Sequence, residues 1–169
     1  MGLARREVDW REVFGNDRPV EIEVGFGKGL HLATAGEAHP EVNYLGIEVV
    51  RKYQLMAATR LARRGLGNVR VACVDARPFL RDCVRPGSVS RVHLYFPDPW
   101  WKKRHHKRRV FTPEFAGTCE HALRPGGELL VVTDVADYAA MVRETIRGTP
   151  ASRRRRPRRS TVRPTTSTT

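Results

Sequence analysis

Four carboxylates, Glu48, Asp75, Asp98 and Asp134, each stand where an apolar run ends, and a fifth such run leads into the turn Gly25-Phe26-Gly27-Lys28-Gly29. Carboxylates only accept hydrogen bonds, so a row of them suits a neutral or cationic ligand that carries hydroxyls and amines. Asp98 has the most specific setting, Leu94-Tyr95-Phe96-Pro97-Asp98-Pro99-Trp100-Trp101. Pro97 and Pro99 have no N–H and a fixed φ, so they end the strand and hold Asp98 on a stiff backbone. Two tryptophans and the run Lys102-Lys103-Arg104-His105-His106-Lys107-Arg108-Arg109 follow at once. An acid, aromatic faces and clustered cations together can hold a base that belongs to a polyanion. A bare charge run is more often a solvated loop. The prolines, the single acid and the tryptophan pair at the carboxyl end of a strand set this one apart.

The glycine turn is preceded by Val20-Glu21-Ile22-Glu23-Val24, which alternates, and followed by a helical stretch, Leu30 to Ala38. Gly25, Gly27 and Gly29 permit positive φ and a close approach of backbone N–H groups to a ligand. A second strand, Asn43 to Ile47, ends in Glu48, about twenty residues past the turn, where an acid can accept both hydroxyls of a ribose. A helix cap is the competing role for Glu48. The dinucleotide fingerprint is not met, because its third glycine would fall at Leu30. That spacing favours a nucleoside cofactor over a pyrophosphate one and argues against a nicotinamide oxidoreductase. A third strand, Val69 to Val74, closes on Asp75-Ala76. Asp75 can accept from an exocyclic amine such as adenine N6 while the Ala76 backbone N–H donates to the ring; an Asx turn or N-cap explains Asp75 equally well.

The elements that must position these residues alternate. Helices are expected over Val50–Arg64, Arg77–Cys83, Thr112–Leu123 (Thr112 as N-cap, Pro113 in the first turn) and residues 135–147, where Tyr138, Met141, Val142 and Ile146 share a face. Pro125-Gly126-Gly127 is expected to turn into a fifth strand, Glu128–Thr133. Strands separated by crossover helices imply a mostly parallel, doubly wound α/β sheet with helices on both faces. The expected organisation is an N-terminal arm over 1–17, one domain over 18–147, and an Arg/Pro/Ser/Thr-rich tail over 148–169 with too few apolar residues to fold.

The formal net charge of +13 resides in two segments, 102–109 with six Lys/Arg and 151–169 with seven, neither containing an acid. The remainder is balanced, which points to a polyanion partner. The tail is either a polyanion-binding extension or sequence foreign to the domain. Cys73, Cys83 and Cys119 show no metal-site spacing and read as reduced, buried cysteines in a cytoplasmic protein without a metal. No apolar run approaches membrane-spanning length and no signal-peptide core is present, so no membrane association is expected. Monomer and homodimer both remain open.

The segments Glu23-Val24-Gly25-Phe26-Gly27-Lys28-Gly29, Gly46-Ile47-Glu48, Asp75-Ala76, Phe96 to Arg109 and Thr133-Asp134 resemble the bacterial tRNA (guanine-N7-)-methyltransferases of the TrmB type, over about residues 14–147. The resemblance implies a Rossmann-like class I methyltransferase fold, S-adenosylmethionine (SAM) as cofactor, and methylation of a guanine in the tRNA variable loop. By position, Glu23, Glu48, Asp75 and Asp98 look like the family's cofactor contacts, Asp98 also its active-site residue, and Lys102 and Asp134 its substrate contacts. The family also implies two further strands and a Thr-x-x-Glu motif that this sequence does not supply, and Trp101 and Val135 depart from its usual residues. The sheet is therefore expected to lack its last two strands.

Guanine N7 has an in-plane lone pair and no proton to lose, so the chemistry asks mainly for alignment, with a carboxylate to offset the developing positive charge. Trp100 or Trp101 can stack on a base, and Arg104, Lys107 and Arg108 of the 102–109 run can grip phosphates with help from His105 and His106. The competing class is a non-catalytic RNA-binding protein that holds SAM and tRNA without transfer.

Overall fold

The computed structural model describes residues 7–100, 104 and 109–148. Five strands, β1 (Val20–Val24), β2 (Asn43–Glu48), β3 (Val69–Cys73), β4 (Val89–Tyr95) and β5 (Leu123–Val132), form one sheet in the order β3-β2-β1-β4-β5. Every pairing is parallel. The alternation of Val20–Val24 would suit a strand with one wet face, yet all five residues are buried, because β1 is the middle strand and both its faces are covered.

Helices α1 (Trp10–Phe14), α4 (Ala76–Asp82), α5 (Pro113–Ala122) and α6 (Ala136–Gly148) share one core with Ile22, Ile47, Val92 and Leu94. Helices α2 (Leu30–Ala38) and α3 (Arg51–Arg63) pack on the opposite face around Tyr44 and Val69. Ile22, Leu80, Leu94 and Phe111 are almost fully enclosed, each contributing about 1.5–3 kcal/mol by leaving water. Helix starts follow the sequence chemistry. The Thr112 hydroxyl accepts from the Phe115 N–H at 3.1 Å, with Pro113 in the first turn, and Asp9 caps α1 by accepting from the Arg11 N–H at 2.8 Å.

Three expectations change. The fifth strand begins at Leu123, not after the Pro-Gly-Gly turn: Val89 pairs with Leu123 and Arg91 with Glu128, so Pro125–Gly127 form a bulge inside β5. An edge strand tolerates such a bulge and a proline, since its outer N–H groups need no partner strand. Of the cysteines only Cys119 is buried, its thiol pushed up to about 12 by that burial. Cys73 is exposed because it ends β3, the other edge of the sheet. On α6, Tyr138 and Val142 enter the core, but Ile146 stays 36% exposed. Near the N-terminus, the Val8 N–H donates to the Cys83 carbonyl at 2.7 Å and Trp10 Nε1 donates to Ser88 Oγ at 3.1 Å, tying α1 to the body of the domain. Among the described residues no helix is long and apolar enough to cross a membrane.

Candidate functional site

The chain winds from β1 toward β3 on one side and from β4 toward β5 on the other, so the carboxyl ends of β1 and β4 flank the point where the sheet reverses. A crevice opens at such a point and receives ligands in α/β sheets. The glycine turn leaves β1 there, and Phe96 to Trp100 leave β4 beside it.

The turn is clasped from β2. The Gly27 N–H donates to Glu48 Oε2 at 3.0 Å, the Val50 N–H donates to Glu48 Oε1 at 3.0 Å, and the Gly25 N–H donates to the Ile47 carbonyl at 2.7 Å. The helix-cap role is not realised, since Val50 is the N-cap of α3 and no side chain caps it; Glu48 instead joins the two loops. Phe26 turns inward and is buried over Gly46, where a Cβ would overlap both the Phe26 and Leu32 side chains. Gly29, at φ +68°, lies against α3 so closely that a Cβ would sit 2.7 Å from that of Ala57. Gly25, at φ +70°, faces open space. One side of the turn is therefore packed and the other is bare backbone.

Glu23 is buried, and its Oε2 lies 3.0 Å from His31 Nδ1 in the first turn of α2. The His31 ring meets the Tyr95 ring edge-on at 4.5 Å. Below it, His93 Nε2 lies 2.7 Å from Glu21 Oε2 and His93 Nδ1 lies 2.8 Å from the Tyr95 hydroxyl. Arg91 reaches Glu21 at 3.4 Å and Glu128 at 2.6 Å. Burial pulls the Glu21 carboxyl upward, but His93 and the Arg91 guanidinium outweigh it and hold the group below the usual glutamate range. Burial, helped by Glu23, pushes the Tyr95 phenol up to about 12. Glu23 was expected near the site, but its links through His31 and Tyr95 to His93, Glu21 and Arg91 were not foreseen. The only sequence signal was two acids within a strand and a histidine within an apolar run.

Asp75 caps α4, accepting from the Arg77 N–H at 3.0 Å, and forms a fork with the Arg77 side chain at 3.1 and 2.7 Å. That fork draws its carboxyl below the ordinary aspartate value. The cap is thus realised, and Ala76 beside it is buried. Asp98 is exposed between two residues in left-handed backbone, Phe96 at φ +47° and Trp100 at φ +44°. Each such non-glycine residue stores about 1–3 kcal/mol and persists only where its surroundings fix it. The Phe96 N–H donates to the Val132 carbonyl at 2.8 Å, and Pro97 is buried. Asp134 is exposed at the end of β5, with the Thr133 hydroxyl accepting from the Val135 N–H at 3.2 Å.

The sheet order brings the glycine turn, Glu23, Glu48 and Asp98 to the ends of three adjacent strands, with Asp75 and Asp134 at its two edges. Trp100 is half-buried and Arg104 exposed. Trp101, Lys102, His105, Lys107 and Arg108 lie outside the described residues, as do residues 1–6 of the arm and 149–169 of the tail.

Known proteins resemble this chain in sequence and in fold. The chain is 46% identical over 144 residues to a tRNA (guanine-N(7)-)-methyltransferase of Rhodopirellula baltica, covering 82% of this chain and 53% of that protein. It is 42% identical over 147 residues to the protein of that name from Marinobacter nauticus, covering 86% and 62%. The chain thus spans between about half and two thirds of the length of these relatives. A SAM-dependent O-methyltransferase of Thermotoga maritima shares the fold with a TM-score of 0.60 at 17% identity, covering 83% of this chain and 48% of that one. A family model described as "Putative methyltransferase" matches residues 17–169, and by that match the chain belongs to this methyltransferase family.

Proposed function

We propose that the protein transfers a methyl group from SAM to N7 of a guanine in the tRNA variable loop, a reaction of the cytoplasm. The observation that carries this reading is the pairing, at the reversal point of the sheet, of a bare glycine turn clasped by Glu48 with a stiff loop presenting Asp98. The names of the relatives support the substrate.

The residues present fit such a cofactor. Glu48 Oε1 and Oε2 each accept one backbone N–H, and a carboxylate has room for further donors such as ribose hydroxyls. Gly25 exposes its backbone on the open side of the turn. Glu23 stands behind the turn with its carboxylate oriented by His31. Gly27 and Gly29 shape that turn, and Asp75 with the Ala76 N–H suits the adenine. Bound SAM supplies a methyl group activated by the sulfonium.

The chain's own work is to hold and orient. Asp98 accepts from guanine N1–H and N2–H₂ together, which selects guanine over adenine and fixes the direction of N7. Its charge also offsets the positive charge that grows on the purine, an effect worth most where the surroundings are already set. Asp134, on the neighbouring strand end, supports the same base, and Trp100 covers its face. Lys102, Arg104, His105, Lys107 and Arg108 hold the backbone phosphates.

The test is methyl transfer from labelled SAM to unmodified tRNA transcripts, with the product mapped by cleavage at 7-methylguanine. Transfer to one variable-loop guanine, lost in Asp98→Asn, is the expected result. Retention of SAM and tRNA without transfer would instead make this chain a non-catalytic relative.

A further inference from the structure

The run from Lys102 to Arg109 reads in sequence as a set of phosphate contacts, but its last member is engaged inside the protein. Arg109 Nε donates to the Pro99 carbonyl at 2.7 Å. The guanidinium carbon lies 5.9 Å from the centroid of the Tyr138 ring, and Nη1 lies 3.5 Å from the sulfur of Met141. Tyr138 is 3% exposed, and both it and Met141 belong to α6. One side chain therefore joins α6 to the peptide that links Pro99 to Trp100. Two residues further on, Phe111 is buried against Phe115 of α5, with ring centroids 6.1 Å apart, so the backbone carrying Arg109 is itself anchored.

The bond falls where it matters mechanically. Pro99 lies between Asp98 and Trp100, and Trp100 is held at φ +44°, a conformation that reverts unless its neighbours over-determine it. Turning the Pro99–Trp100 peptide would swing Trp100 and release the backbone behind Asp98. Arginine suits this task where lysine does not. A planar guanidinium presents Nε–H in its plane to a carbonyl while its face covers an aromatic ring, whereas an ammonium is a single point of charge.

We propose that Arg109 is a positioning residue that fixes the Asp98–Trp100 backbone through Pro99 and Tyr138, and is not a phosphate contact. This rests on the reading of Asp98 as the group that holds the base. The test compares Arg109→Lys, Arg109→Ala, Tyr138→Leu and Tyr138→Phe in the full chain. Four quantities are read: kcat, KM for tRNA, the slope of tRNA affinity against salt, and amide exchange at Phe96, Asp98 and Trp100 without RNA.

Arg109→Lys keeps the charge, so a phosphate contact would survive it. The positioning role predicts a fall in kcat of roughly tenfold or more, the scale of losing a charged hydrogen bond. KM and the salt slope stay as in the wild type, and exchange in the loop accelerates. Tyr138→Phe, which keeps the ring, behaves as wild type, and Tyr138→Leu moves in the direction of Arg109→Lys. Wild-type kcat and exchange in Arg109→Lys would overturn the proposal. So would an Arg109→Ala salt slope shallower by about 0.7–0.9, the loss of one phosphate contact. If the wild-type protein transfers no methyl group, the proposed function fails by itself, and loop exchange and the salt slope still decide the role of Arg109. Should Arg109→Ala fail to fold, Arg109→Lys and the Tyr138 pair carry the test.

Discussion

The carboxylate of Glu48, at the end of β2, accepts the backbone N–H of Gly27, in the turn that follows β1, at 3.0 Å, and the N–H of Val50 at the same distance. A residue suited to ribose is thus also the fastener of the loop that would lie beside that ribose. Glu48→Ala leaves the Gly27 N–H without its acceptor, and we expect a loss of about 1–3 kcal/mol in stability. SAM affinity should fall at least about tenfold, because the turn loosens as the hydroxyl acceptor disappears. Glu48→Gln retains one good acceptor and should lie between. Urea unfolding alongside a SAM titration measures both effects; an unchanged unfolding midpoint in Glu48→Ala would show that the clasp is not holding the turn.

Two glycines of the same turn should respond differently to a methyl group. Gly25 and Gly29 both have positive φ, but only Gly29 has a neighbour in the way, the Ala57 Cβ at 2.7 Å. Gly25→Ala should cost only the left-handed strain, about 1–2 kcal/mol. Gly29→Ala should cost about 2–4 kcal/mol, since α2 and α3 must also separate. Equal losses for the two on chemical denaturation would contradict the packing described for α3.

The Glu21–His93 pair should govern part of the acid limb of stability. The Glu21 carboxyl is held below its ordinary value of 4.5 in the folded protein. Its stabilising contribution is therefore complete above that value and is lost as pH falls through the lower folded one. Glu21→Gln should be less stable than wild type near neutrality, with the gap closing as the solution is acidified below about 4.5. Asp75, also held low by Arg77, changes stability in the same direction and remains in both proteins as an internal control. Thermal melts across pH 3 to 7 (about four units, wide enough to bracket the window) measure the gap, and a constant difference would remove Glu21 as its source.

Asp98 should separate activity from stability. It is exposed, so Asp98→Asn should change stability by no more than about 0.5 kcal/mol. Methyl transfer should fall by about 10²–10³, the scale seen when one preorganised charge-stabilising group is removed. Single-turnover rates at saturating SAM and tRNA give the number. A variant that folds and transfers at the wild-type rate would remove Asp98 from the chemistry.

What the sequence determines by itself is local. The strand, glycine turn and helix at residues 20–38, the Thr112-Pro113 helix start and the acids at strand ends are each set by neighbours a few residues away. Backbone sterics and capping therefore make them legible in the sequence. The motif from Phe96 to Arg109 was equally plain as a list of residue types. What its members touch was not. Glu21 meets His93 from 72 residues away, Gly27 meets Glu48 from 21, and Arg109 meets Met141 from 32. Only the sheet order and the seating of α6 fix such pairs. The same order buried both faces of β1, left Cys73 at an edge and absorbed Pro125–Gly127 into β5. Short-range sterics set the kind of turn on which each group stands; long-range packing decided which groups gather at the carboxyl ends of the strands and which are engaged in holding the others still.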